Sequence, residues 1–134
     1  MTDESTNQKN TFVVDTSFVL AYLLPDEGER VVESMFSKFQ ENKIVFISPY
    51  LLIFETINGL RLAIMQKRQT AKTAELLVDS FLNMGILFEH INEKEVFRLS
   101  LTKGISAYDA SYVWLAESKN LKLLTLDEKL VEIM

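Results

Sequence analysis

Four short apolar runs, each followed by a segment with helix signals, place the tightest constraint on how this chain can fold. We predict strands in these runs over Thr11–Asp15, Lys43–Ile47, Ile86–Glu89 and Leu121–Thr125. Runs this short, rich in Val, Ile, Phe or Leu, are typical of parallel strands buried on both faces. Strands that alternate with helices predict an α/β fold, with a parallel sheet and helices on both sides.

The segments between the runs carry recognisable helix boundaries. Val31, Met35 and Phe39 recur at four-residue spacing, which predicts the buried face of one helix. Ser48 is predicted as a helix N-cap, with Pro49 as the first helical residue. We therefore expect a helix that begins near residue 16 and others over residues 27–39, 49–67, 70–84, 93–101, 107–118 and 127–133.

Composition restricts the chemistry and the number of domains. With 134 residues, and ~150 residues as the prior for one domain, we expect a flexible polar tail over residues 1–10 and a single domain over 11–134. The absence of cysteine excludes disulfides and thiolate chemistry, and His90 alone is too little for a zinc cluster. A net charge of −5 excludes a uniformly basic nucleic-acid-coating protein. Without a signal peptide or a membrane span, a cytoplasmic location is expected.

Four acidic residues are predicted to gather at the carboxyl edge of the sheet, where open parallel sheets bind ligands. Asp15 ends the first strand, and Asp127 lies two residues past the fourth. Asp109 lies at the start of a helix that runs back to this edge. Glu55 lies about two turns into its helix, ~9 Å along the axis, and reaches the edge only if that helix tilts.

Three of these acids also have a purely structural interpretation. Asp15 and Asp127 can cap the helices that follow them, and Asp109 fits a capping box with Ser106. Glu55 lies too deep in its helix to cap it. That helix is apolar nearly all round and has no Lys or Arg one turn away, so we expect a partner or a metal to compensate the charge.

Carboxylates that gather at one edge repel each other unless they protonate or bind a cation. Without cysteine, the ligands are oxygen atoms, which suit Mg²⁺ or Mn²⁺. Such ions activate water and neutralise charge on a phosphoryl oxygen, so hydrolysis of a phosphodiester fits the pattern. Thr16, Ser17 and Thr125 are candidates for polar support, although such residues are also common in turns.

A basic strip between residues 56 and 74 contains no acid and suggests contacts to phosphate, although a solvated helix face explains its charge equally well. Its members are Arg61, Lys67, Arg68 and Lys72. Three aromatic residues at helical spacing fit a core or a dimer interface better than base stacking. They are Tyr108, Tyr112 and Trp114.

Three segments between about Phe12 and Leu130 resemble the signature regions of PIN-domain proteins. As a short chain with a single predicted domain, the protein also resembles the VapC-type toxins of toxin–antitoxin pairs. The three segments read FVVDTSFVLAYLL, SPYLLIFETINGL and ISAYDASYVWLAESKNLKLLTLDEKL. The resemblance implies a three-layer α/β/α sandwich around a parallel sheet of four or five strands. It also implies an Mg²⁺- or Mn²⁺-dependent ribonuclease, often a homodimer, neutralised by an antitoxin whose tail occupies the acidic groove. By motif, the metal-site acids are Asp15, Glu55, Asp109 and Asp127, supported by Ser17, Asn58 and Thr125.

Alternative functions fit the residues less well. An aspartyl phosphatase needs a second acid two residues after its nucleophile, where this chain has Ser17. A receiver domain needs an acidic pair after the first strand and an aspartate after the third, and the chain has neither. The alternative outside the enzymes is a PIN-like RNA- or protein-binding module that has lost turnover.

Overall fold

The computed structural model describes residues 10–134, so the predicted tail lies almost wholly outside the described residues. The strands are β1 (Thr11–Val14), β2 (Val45–Pro49), β3 (Leu87–Glu89) and β4 (Lys122–Leu124). The helices are α1 (Thr16–Leu23), α2 (Arg30–Gln40), α3 (Leu51–Met65), α4 (Ala71–Leu82), α5 (Glu93–Lys103), α6 (Ala107–Ser118) and α7 (Glu128–Ile133), with a short 3-10 helix over Pro25–Glu27. None of the helices in residues 10–134 has the length and apolar content to cross a membrane.

The four strands form one parallel sheet in the order β3-β2-β1-β4, which confirms the α/β prediction. Successive residues of β1 face opposite sides, as strand geometry requires. Val14 belongs to a core that includes Phe18 and Phe36, on α1 and α2. Val13 belongs to a second core with Leu115 of α6. The sheet is therefore covered by helices on both faces.

The strands differ in burial, and the prediction that all four are buried on both faces is wrong for the edge strands. Leu87 in β3 is 56% exposed, and Lys122 in β4 is exposed. Each of these strands pairs with one neighbour, so part of its surface stays open to solvent.

Two helix predictions also need correction. α3 begins at Leu51, not at Pro49, because Ser48 donates a buried hydrogen bond to the Val14 carbonyl at 2.8 Å and Pro49 belongs to β2. α2 buries Val32 and Phe36, one position away from the predicted face, and leaves Val31 exposed. Its start shifts to Arg30 because residues 25–27 form the 3-10 helix.

Candidate active site

The four candidate acids line one pocket of about 310 Å³ at the carboxyl edge of the sheet. Its lining comprises Asp15, Glu55, Asp109 and Asp127 together with Thr16, Ser17, Asn58, Gly59, Leu62 and Tyr112. The acids come from four different parts of the fold: the end of β1, the middle of α3, the first turn of α6 and the residue before α7. Parallel topology alone accounts for three of these positions, because the ends of β1 and β4 and the start of α6 share this edge.

Asp15 is buried and oriented by its neighbours. It caps α1 by accepting a hydrogen bond from the Phe18 amide at 3.1 Å. Ser17 Oγ donates to Asp15 Oδ1 at 2.7 Å, and Thr125 Oγ1 donates to Oδ2. Burial raises the pKa of Asp15 above its ordinary value and the charge of Asp127 adds to this, while the three hydrogen bonds oppose it. The capping role and the site role therefore coexist in this residue.

Asp127 and Asp109 also combine structural and electrostatic roles. Asp127 caps α7 by accepting from the Lys129 amide at 2.9 Å. Ser106 caps α6 by accepting from the Asp109 amide at 3.0 Å. Burial first, and then the charges of Asp127 and Glu55, raise the pKa of Asp109, while Lys129 opposes the shift. These acids are therefore close enough to repel one another.

Glu55 is half-buried and hydrogen-bonded through one oxygen. Thr16 Oγ1 and Tyr112 OH each donate to Glu55 Oε1 at 2.7 Å. Oε2 accepts no hydrogen bond from residues 10–134, so it is left for a ligand. Although the sequence of α3 is apolar nearly all round, one side of the helix faces solvent, and Phe54 is 74% exposed. The predicted compensating partner exists nonetheless, as a pair of hydroxyl groups.

Tyr112 is the site residue that sequence reasoning missed. Its ring lies in the main core, as predicted, but its hydroxyl reaches Glu55 in the pocket. Burial and the hydrogen bond to Glu55 raise the pKa of the phenol above its ordinary value. Its position three residues after Asp109 places both on one face of α6, and this spacing was the available signal.

The site's donor chemistry fits a hard divalent cation, although the ligands are not assembled around one. In the part of the chain that the structure describes, no three Asp, Glu or His side chains converge closely enough to hold an ion. The donors are all oxygen atoms, Oε2 of Glu55 is open, and a cation would relieve the repulsion at Asp109. The residues therefore fit Mg²⁺ or Mn²⁺.

The basic strip is exposed but not uniform. Arg61, Lys67 and Lys72 are exposed, and none of them forms an ion pair with another described residue. Arg68 instead binds Asp26 at 2.8 Å, and also Glu27, so nearby acids offset its charge. The sequence pattern missed this pairing because the partners lie about forty positions away.

The sequence signature of the PIN domain matches residues 12–133. The chain belongs to the PIN-domain family. It is also similar to Ribonuclease VapC3 of Pyrobaculum aerophilum, with 31% identity over 120 residues that cover 90% of this chain and 92% of that protein. The resemblance to VapC-type PIN domains is therefore confirmed.

Two crystal structures share this PIN-domain fold. PAE2754 from Pyrobaculum aerophilum has a TM-score of 0.73 at 25% identity, over 91% of this chain and 83% of that one. VapC20 of Mycobacterium tuberculosis, a toxin that cleaves the sarcin-ricin loop, has a TM-score of 0.64 at 16% identity, over 91% and 94% of the two chains. The likeness to VapC20 bears on the fold alone.

Proposed function

We propose that this PIN-domain chain is an endoribonuclease that hydrolyses RNA phosphodiester bonds with Mg²⁺ or Mn²⁺. The pocket that brings together Asp15, Glu55, Asp109 and Asp127 carries the proposal. Similarity to a protein named as a ribonuclease supports RNA as the substrate.

The ion would bind in the pocket that the four carboxylates line, where it would supply a more acidic water and offset charge that develops on the phosphate. The hydroxyls of Ser17 and Thr125 orient Asp15, and those of Thr16 and Tyr112 orient Glu55. Groups oriented before the substrate arrives lose less entropy on the way to the transition state. The exposed amide of Asn58 lines the pocket and is accessible to the substrate.

We assign RNA backbone contacts to the exposed cations Arg61, Lys67 and Lys72. Arg61 lies six residues after Glu55 on α3, ~9 Å along the helix axis, and is the member of the strip nearest to Glu55 in the sequence. Arg68 contributes less, because Asp26 and Glu27 already bind its guanidinium.

Two partners complete the proposal. The VapC-type relationship supports a toxin whose cognate antitoxin covers the acidic pocket, and both the antitoxin and the RNA would meet the chain in the cytoplasm. The second partner is another copy of the chain.

An exposed apolar surface next to the acidic pocket fits this second copy. It consists of five large side chains that are 49% to 74% exposed: Tyr50, Phe54, Phe97, Leu101 and Tyr108. Between them lies an apolar pocket of about 290 Å³ lined by Leu51, Phe97 and Tyr108. At 150–250 Å² per large side chain, these exposed fractions correspond to roughly 470–780 Å², up to about the ~800 Å² that each partner contributes to a stable interface.

The proposed activity is tested by incubating RNA with purified protein in Mg²⁺, in Mn²⁺, in EDTA, and in EDTA followed by excess Mn²⁺. We expect cleavage with either ion, none in EDTA, and recovery on addition of Mn²⁺, with 5′-phosphate and 3′-hydroxyl ends. Asp79→Asn, which changes an exposed acid on α4, should cleave normally, while Asp15→Asn should not.

Full activity in EDTA, from protein free of contaminating nuclease, would contradict the metal mechanism. RNA binding without cleavage under every condition would favour the binding module over the enzyme.

A further inference from the structure

The Tyr112 hydroxyl and the Thr16 hydroxyl converge on one oxygen of Glu55. Tyr112 OH and Thr16 Oγ1 each lie 2.7 Å from Glu55 Oε1, and 3.0 Å from each other. We propose that Tyr112, assisted by Thr16, is a positioning residue that fixes the Glu55 carboxylate and leaves Oε2 available to a divalent ion. This inference rests on the proposed metal-dependent function.

Packing alone does not require the Tyr112 hydroxyl. The residue is 2% exposed, and a phenylalanine ring would fill the same space without burying a polar atom. A tyrosine here therefore needs a hydrogen-bond partner, and the partner is a carboxylate that lines the acidic pocket.

The positions of the two hydroxyls tie Glu55 to the other acids. Thr16 directly follows Asp15, and Tyr112 lies one turn after Asp109 on α6. Glu55 lies in the middle of α3, and the parallel topology of the sheet does not by itself place it at the carboxyl edge. The two hydrogen bonds thus hold its carboxylate against both the β1 end and α6, and such partners tune the geometry of a ligand that they do not replace.

Calorimetric titration of Mn²⁺ into metal-free protein tests the inference. We expect Tyr112→Phe to bind Mn²⁺ about ten- to hundredfold more weakly than the wild type, since lost support of a ligand typically has this effect. The matched control is Tyr22→Phe, which removes a hydroxyl that accepts from Gln40 at 2.6 Å outside the pocket. It should bind Mn²⁺ like the wild type.

A Glu55→Gln background separates positioning from a general structural role. If Tyr112 acts through Glu55, Tyr112→Phe should cause no further loss of Mn²⁺ affinity there. In RNA cleavage, Tyr112→Phe should lower kcat and leave KM unchanged. Should Tyr112→Phe fail to fold, Thr16→Val supplies the same comparison, with the hydroxyl-bearing Thr16→Ser as its control.

Wild-type Mn²⁺ affinity in Tyr112→Phe, or an equal loss in the Glu55→Gln background, would overturn the inference and leave the proposed function intact. A wild-type protein that binds no Mn²⁺ would instead contradict the proposed function. Whether Tyr112 positions the Glu55 carboxylate would then be decided by the free energies of unfolding of the metal-free variants. Non-additive effects of Tyr112→Phe and Glu55→Gln on the free energy of unfolding would support this positioning, and additive effects would overturn it.

Discussion

Thr125 donates a hydrogen bond to the carboxylate of Asp15, although 110 positions separate these residues along the chain. β1 and β4 are parallel neighbours, so the residues that follow them meet at one edge. Ser17 donates to the other oxygen of Asp15 and accepts from the Leu126 amide. Hydroxyl groups from the segments that follow β1 and β4 therefore orient the Asp15 carboxylate.

The raised pKa of Asp109 contributes to the pH dependence of stability in the metal-free protein. Its folded pKa is raised, mainly by burial and then by Asp127 and Glu55. Its contribution to stability is therefore fully present below the unfolded value of about 3.8 and is lost as the pH rises through the folded pKa. Asp109→Asn should flatten this fall and keep or raise Tm at neutral pH, as measured by thermal unfolding in EDTA.

The effect should be small because Asp109 is only partly buried, so that solvent screens its charge. Asp79→Asn on α4 is the control, and it should leave the pH profile unchanged. Mn²⁺ at a hundredfold excess over Kd should stabilise the wild type by about 2.7 kcal/mol and Asp109→Asn by less. A Tm lowered by several degrees in Asp109→Asn, with RNA cleavage retained, would assign this residue to helix capping alone.

The exposed cations of the basic strip should set RNA affinity. Replacing Arg61, Lys67 and Lys72 with Gln should weaken binding and reduce the salt slope by about 0.7 per lost phosphate contact. Arg68→Gln should change the slope less, since Asp26 and Glu27 bind its side chain. Fluorescence titrations across salt concentrations check this, with Lys38→Gln on α2 as control. An unchanged slope in the triple variant would place the RNA path elsewhere.

The apolar surface on α3, α5 and α6 should hold the proposed dimer together. Phe54→Ser with Phe97→Ser should convert a dimer into a monomer, because both side chains are more than half exposed in one chain. Light scattering after size exclusion measures the mass. Leu76→Ser removes an equally exposed apolar side chain from α4 and should not change it. A wild-type chain that is monomeric at every concentration would contradict this assignment.

Removal of two buried hydroxyl groups, one at a time, should change the free energy of unfolding in opposite directions. Thr56 Oγ1 is buried and has no hydrogen-bond partner among residues 10–134, so Thr56→Val should stabilise the protein by about 1 kcal/mol. Ser48 Oγ is equally buried but donates to the Val14 carbonyl, so Ser48→Ala should destabilise it by about 1 kcal/mol. Chemical denaturation of both variants measures the difference. Equal shifts in the same direction would contradict the assignment of partners.

Topology made most of the candidate site predictable from sequence. Asp15, Asp127 and Asp109 follow from parallel strands and a returning helix, because both rules are independent of side-chain detail. The position of Glu55 depends on how α3 lies across the carboxyl edge of the sheet, and the periodicity of the sequence does not predict that orientation. The apolar residues of α3 include Phe54 and Met65, which face solvent, so the apolar sequence of this helix does not mean that every side of it is buried.

Short-range sequence patterns gave a wrong or incomplete prediction at positions where tertiary contacts determine the structure. Ser48 and Pro49 match a helix start, but β2 pairs with β3 through Pro49 and leaves Ser48 to bond across the sheet. Tyr112 was predicted to lie in the core or a dimer interface, and its ring lies in the core. The role of its hydroxyl depends on Glu55, 57 positions away, a contact that short-range patterns do not contain.

The central claim is that the four acids form one metal site, and Glu55 tests it most directly because it caps no helix. Mn²⁺ binding and RNA cleavage should be measured side by side for the wild type, Glu55→Gln and the exposed control Glu75→Gln on α4. We expect Glu55→Gln to fold normally, bind Mn²⁺ more weakly and cleave at least ~100-fold more slowly, while Glu75→Gln matches the wild type. Wild-type affinity and rate in Glu55→Gln would contradict the four-carboxylate site.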